Sequence, residues 1–185
     1  MSSINYREFY RELFAPLESS IGPINPAALM PIIGFDCGGP LSFCTIDSTG
    51  SDAVTTYVSC ELAVRKEQKP CEVGRYELLA TCDDEKWVRL VLTKIGRMSL
   101  ETVFGNHHTL DITSWVGQKA MLSGILLEAL SVVSIEGTGY GILRCVGITR
   151  AEMDFKRSHG ADKLIEKLSL AGIYPKTLVN RKSVV

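Results

Sequence analysis

Apolar and polar positions along the chain switch between helical and strand spacing, and the switches mark out its elements. From Asn5 to Leu17, the residues Tyr6, Tyr10, Leu13 and Leu17 fall near one face at helical spacing, with Ser3 available as a cap. Pro16, then Gly22-Pro23 and Pro26, predict where this helix stops. Residues 22–40 are rich in Gly and Pro and read as a connecting loop with a short apolar patch from Leu29 to Phe35. Leu41 to Ile46 is a short apolar run, and Thr49-Gly50-Ser51-Asp52 is turn chemistry. Thr55 to Arg65 alternates with period 2. Val58, Cys60, Leu62 and Val64 share one face, and Tyr57, Ser59, Glu61 and Ala63 share the other, which predicts a strand with one covered and one more polar side. Lys66–Pro70 reads as a polar turn, and Arg75 to Thr81 as a further strand or the approach to a helix.

At Asp83 or Asp84 the spacing turns helical again. The run EKWVRLVLTKI has a narrow polar stripe of Lys86, Arg89 and Thr93, with Trp87, Val88, Leu90, Val91, Leu92 and Ile95 around the rest. A helix this apolar must be covered on most sides. Gly96 is its candidate end or interruption, with continuation towards Val103 as the alternative. Gly105-Asn106 is a turn, His107 to Ile112 a short strand, and Met121 to Val133 a strand pair, a strand plus loop, or a helix. Tyr140 to Ile148 reads as a strand covered on both faces. Thr149-Arg150-Ala151-Glu152 is a capping box opening a helix that ends at Ser158-His159-Gly160. Asp162 opens another, with Leu164, Ile165, Leu168 and Ala171 inward and Gly172 as the stop, before a basic tail from Asn180 to Val185. These elements predict one α+β domain, a mixed or antiparallel β-sheet with covering helices. Residues 1–40 are its N-terminal helix and loop, packed on a unit spanning residues 41–185.

Composition narrows the function. At 185 residues with 45% apolar side chains the chain can bury a core without a metal or disulfide, and disorder is excluded. Twenty Lys+Arg against 21 Asp+Glu leave a net charge of −1, so no basic field points to nucleic acid or an anionic membrane. No apolar run reaches the ~18 residues of a membrane span, and MSSINYREFYREL does not read as a secretory signal. The six cysteines show no CxxC or paired short spacing and read as reduced structural thiols of a cytoplasmic protein.

Candidate chemistry is sparse. The adjacent pair His107-His108 points to opposite faces of a strand and does not chelate, and nothing around the cysteines activates a nucleophile. Gly137-Thr138-Gly139-Tyr140-Gly141 precedes a strand, whereas a phosphate cradle opens a helix, so it reads as a turn. Asp83-Asp84-Glu85 suits a helix N-terminus, and Arg181-Lys182 a solvated tail. No catalytic, cofactor or metal site is expected from these residues.

Several stretches, in order, carry a family resemblance. YVSCELAVRKE has the acidic-aliphatic pair Glu61-Leu62, RYELLATCDDEKWVRLVLTKIGR contains a long apolar helix, and DITSW places Asp111 ahead of Ser114-Trp115. YGILRCVGITRAEMDFKRSHGADKLIEKL gives a strand, a Thr-capped helix, a Gly and a Leu-rich helix, and NRKSVV a basic ending. Over roughly Gly39 to Val185 this succession resembles the suppressor-of-fused domain family, in its compact bacterial type. The resemblance implies a binding module, not an enzyme. Animal members sequester a zinc-finger transcription factor of Hedgehog signalling, a short segment of which docks partly as an added strand. They also carry a second, C-terminal domain. Compact bacterial members are proposed to be immunity proteins that neutralise polymorphic toxins. By the same resemblance the partner is another protein, and Asp111, Trp115 and Met98 are the candidate contact residues. Met98 stands in Arg97-Met98 where animal members have an Arg-Tyr pair, so their aromatic contact is not carried over. The alternative is a small cytosolic enzyme or nucleotide-binding protein using a Cys or His.

Overall fold

Residues 5–47 and 54–185 are described by the structure, a computed structural model. The cap expected at Ser3 and the turn expected at Thr49-Gly50-Ser51-Asp52 lie outside them. In chain order the elements are α1 (Tyr6–Ser20), β1 (Asn25–Leu29), β2 (Phe43–Asp47), β3 (Thr55–Ser59), β4 (Arg75–Cys82), α2 (Glu85–Met98), β5 (Thr109–Asp111), α3 (Thr113–Val116), β6 (Gly124–Ile135), β7 (Thr138–Ile148), α4 (Arg150–His159), α5 (Ala161–Leu170) and β8 (Lys176–Thr177). The strands form one sheet in the order β1-β2-β3-β4-β7-β6-β5, with β8 pairing the end of β4. β4 pairs parallel with β7 and β8, and every other pairing is antiparallel. The sheet is therefore mixed.

The period-2 rule sorts its side chains into two layers. Tyr76, Leu78 and Ala80 of β4, with Leu143 and Cys145 of β7, face Trp87, Val88, Val91, Leu92 and Ile95 of α2. Leu79 and Ile142 face the other way, onto Phe9, Leu13, Phe14 and Leu17 of α1. Further along that second face, Leu126, Val146 and Ile148 receive Met153, Leu164 and Leu168 of α4 and α5. Helices thus cover both faces, which is why β4 and β7 are buried nearly end to end.

The helix starts follow local chemistry. Asn5 and Asp84 cap α1 and α2, their side chains accepting from Glu8 N and Trp87 N. Thr149 forms the expected box: its hydroxyl accepts from Glu152 N, and Glu152 Oε2 accepts from Thr149 N at 2.8 Å. Of residues 121–133, those from Gly124 onward belong to the single long strand β6, and 121–123 lead into it. Its hairpin to β7 is a two-residue turn at Glu136 and Gly137, both at positive φ, so the glycine-rich stretch is turn and strand rather than a phosphate loop.

Several expectations are corrected. Residues 22–40 are not all loop, because the main chain of β1 finds a partner in β2 and joins the sheet. Pro16 does not stop α1, because Leu13, Phe14 and Leu17 on either side of it are buried, and their burial outweighs one lost backbone bond. The buried face is Phe9, Leu13, Phe14 and Leu17, while Tyr6 is exposed. Thr93 belongs to no polar stripe; it is buried, and its hydroxyl accepts from Leu41 N at 3.1 Å. Ala171, expected inward, is exposed. Arg181 is no solvated tail. It is buried against Glu152, with Nη2 2.6 Å from Oε2, and also donates to Gly147 O. Burial pushes the Glu152 carboxyl up, but bonds from Arg181 and from the Thr149 and Val184 amides together hold it below the usual range.

The alternation from Thr55 to Arg65 breaks at Ser59, where β3 leaves the sheet. Side chains replace the missing strand. Ser59 Oγ accepts from Leu78 N, and the Gln68 amide both accepts from Tyr76 N and donates to Tyr76 O, at 2.9 and 2.8 Å. Glu77, fully buried, accepts from Ala63 N and Tyr10 OH, each at 2.8 Å, and from Ser59 Oγ. Burial outweighs these bonds and pushes its carboxyl up to about 7.

Between about pH 4.5 and 7 the unfolded chain releases the Glu77 proton while the folded chain keeps it. Stability from this group therefore falls as pH rises through that window, with the full penalty present above it. Denaturation of wild type and Glu77→Gln across the window should show a difference that changes by roughly 3 kcal/mol. A constant difference would mean that Glu77 does not titrate there. Arg181→Ala should cost roughly 3–5 kcal/mol by stranding a buried carboxylate, against about 1 kcal/mol for Thr149→Ala, both read from denaturation midpoints at unchanged slope.

Candidate functional site

β5 ends the sheet, and its outer edge is the first candidate surface. Leu127 N–H donates to His108 O and Ile112 N–H to Ser123 O, at 2.9 Å each. Antiparallel alternation then turns the main-chain groups of Leu110 towards β6 and those of Thr109 and Asp111 away from it. Among the described residues no strand pairs with that side. His107, at φ 62°, forms the entry: both His107 and His108 bond to Leu127. The Asn106 side chain accepts from Ala129 N at 2.9 Å, where the register of β6 shifts.

Side chains follow the period. Ile112 is buried in the α2-side core and Leu110 is packed against it, while Asp111 points outward, its side chain 44% exposed. Asp111 Oδ1 accepts from Thr113 N and Oδ2 from Arg150 Nη1, each at 2.9 Å. The bonds from Thr113, and then the Arg150 charge, hold this carboxyl below its ordinary range, so it is ionised at neutral pH. Beside it, Thr109 Oγ1 is buried without a hydrogen-bond partner among the described residues.

Trp115 follows on α3, half-buried against the core, with Lys94 Nζ 5.8 Å from its ring centroid. Met98, the last residue of α2 and half-buried, lies one turn beyond Lys94. Met98 and Trp115 thus rim the same core, whereas Asp111 is tied to the first residue of α4. Arg150 and Lys94 carried no sequence signal, since each meets its partner only through the fold. His107 and His108 join no metal cluster: among the described residues no group of three or more His, Cys, Asp or Glu is placed to hold an ion. All six cysteines are free thiols. Among the described residues no helix is long and apolar enough to cross a membrane.

A mixed sheet with helices on both faces, ending in an edge strand that no further strand pairs among the described residues, defines an α+β domain. The family model of Suppressor of fused protein (SUFU) matches residues 39–182, and the chain belongs to this family. It is similar to a structure described as the Sufu–Fu complex, at 14% identity and a TM-score of 0.66, covering 96% of this chain and 89% of the other. It is also similar to Drosophila Suppressor of Fused, at 14% identity and a TM-score of 0.62 over 83% of this chain, and spans about 46% of that protein's length. No curated protein matches it in sequence.

The Asp111 pair with Arg150 is exposed on both sides and adds little, but its bond from Thr113 N closes an Asx-turn ahead of α3. Asp111→Ala is therefore expected to cost about 1 kcal/mol in a denaturation experiment. A loss of several kcal/mol would make Asp111 a structural residue.

Proposed function

We propose that this chain is a non-enzymatic protein-binding domain that takes an extended segment of a partner along the outer edge of β5. The observation that carries this is the outward-turned main chain of Thr109 and Asp111, which no strand among the described residues pairs, beside an ionised carboxylate. Strand addition satisfies such an edge and gives affinity through main-chain bonds, with side-chain contacts supplying specificity. Asp111 is the polar contact at the edge, and Trp115 and Met98, on the rim of the α2-side core, are the apolar contacts. That the structural neighbour is a complex of Sufu with Fu supports a protein partner.

The finer reading is a cytoplasmic bacterial immunity protein that binds a cognate toxin and neutralises it by occlusion. Its support is the resemblance of a compact single domain to that branch of the family. The product of a neighbouring toxin-like gene is the partner to test, by pull-down and then by titration. Asp111→Ala should weaken binding by roughly 2 kcal/mol or more, well beyond its effect on stability. Thr109→Pro, which removes one outward N–H, should weaken it independently. Unchanged affinity in both variants would remove the β5 edge as the site.

A further inference from the structure

The outer side of α2 carries a second surface. Gly39 and Pro40 on one side, and Arg89, Leu90, Lys94 and Arg97 on the other, line a shallow, open groove of about 370 Å³. Its lining holds three cations and no carboxylate, on a chain whose net charge is −1. The positive potential is therefore local. Arg97 donates to Gly39 O at 2.9 Å and lies 5.2 Å from the Phe35 ring centroid, contacts that aim its guanidinium without neutralising it. Lys94 rests over Trp115. Among the described residues neither Arg97 nor Lys94 has a carboxylate within ion-pair distance. Arg89 has only Glu85, in an exposed pair at 3.4 Å, which a better acceptor displaces at little cost.

An apolar ledge borders the groove. Ile32 and Ile33 are exposed in succession after Pro31, and Leu90 is exposed on the helix. The ledge is fixed to the groove wall because Gly39 lies directly against Ile33; a Cβ at Gly39 would sit 1.7 Å from Ile33 O. Exposed apolar side chains in sequence beside unneutralised cations mark a contact surface rather than ordinary solvent-facing structure.

We infer that this groove and ledge dock an acidic segment of a protein partner that also carries aliphatic or aromatic side chains. Arg89 and Arg97 are eight residues apart on α2, about 12 Å along its axis, a spacing that suits successive carboxylates on one segment rather than a single small anion. Arginine forks receive carboxylates bidentately, and the ledge covers the apolar side chains. Nucleic acid is disfavoured, because no aromatic side chain lines the groove for base stacking. The inference rests on the reading of the chain as a protein-binding domain, but not on the β5 edge being occupied.

The test selects random dodecapeptides displayed on phage against the immobilised full chain, then titrates synthetic versions of the enriched sequences. The expected result is enrichment of peptides combining Asp or Glu with Leu, Ile or Phe, whose affinity falls as salt is raised. Arg89→Glu with Lys94→Glu should weaken these peptides at least tenfold, while Asp111→Ala and Thr109→Pro leave them unchanged. That double variant spares Arg97, which anchors the loop, and its melting curve checks the fold. Enriched peptides without acidic residues, or acidic ones indifferent to the charge reversal, overturn the inference. So does an oligothymidylate that binds the same groove more tightly than every peptide. Binding lost in Thr109→Pro and kept in the charge-reversed variant overturns the groove while leaving the β5 reading standing.

Discussion

Glu77 lies where two strands of the sheet part, and the rest of the fold depends on how that parting is satisfied. β4 runs through the centre with its main chain buried, so every N–H and C=O along it needs a partner. β3 supplies partners only as far as Leu79. Beyond that point Ser59 Oγ and the Gln68 amide complete the main-chain bonds of Leu78 and Tyr76, and Glu77 gathers Ala63 and Tyr10 from two different segments. The cost of that arrangement is a fully buried carboxyl. What it gains is a fixed path for residues 60–68, with Leu62 in one core and Ala63 in the other. α1 is held to the sheet by the same group, through Tyr10.

A second buried carboxylate does comparable work at the other end. Glu152 caps α4, accepts from Val184 N and pairs with Arg181, which in turn donates to Gly147 O. One side chain thereby joins a helix start, the C-terminal segment and β7. With polar anchors at both ends and helices over both faces, what the sheet leaves open is its edges, and α2 is left with one uncovered side. Both candidate contact surfaces lie in those places. This is a consequence of layering: the core takes the apolar face of each element, and recognition falls to what remains.

Most of the fold was legible because its signals are local. The near-continuous apolar run of Tyr140–Ile148, the acidic cap before the Trp87 helix and the Thr149–Glu152 box each lie within a few residues, and each stands where expected. What was not legible depends on distant partners. The pattern continues past Ser59 in sequence, yet Glu77, 18 residues on, takes the chain out of the sheet. Arg181 reads as a solvated cation until Glu152, 29 residues earlier, is placed beside it. At the candidate site the outward direction of Asp111 followed from period 2, but Arg150 is 39 residues away and had no signal.

At 14% identity the structural neighbours share the fold, and partner choice is free to differ between them and this chain. A strand-adding edge is inherently permissive, because its main-chain bonds are available to any extended segment. Discrimination has to come from the side chains around it. At this edge the charge is an ionised Asp111, while the half-buried Trp115, with Lys94 over its indole, and Met98 rim the α2-side core. A methionine such as Met98 offers a flexible, polarisable surface that adapts to shape rather than imposing it. On the binding reading proposed above, rigid apolar anchoring falls to Trp115, and charge to Asp111 at the edge and to the cations of α2. A partner matched to this chain would carry opposite charges at separate points, and that pairing of signs is harder to satisfy by accident than an apolar groove alone.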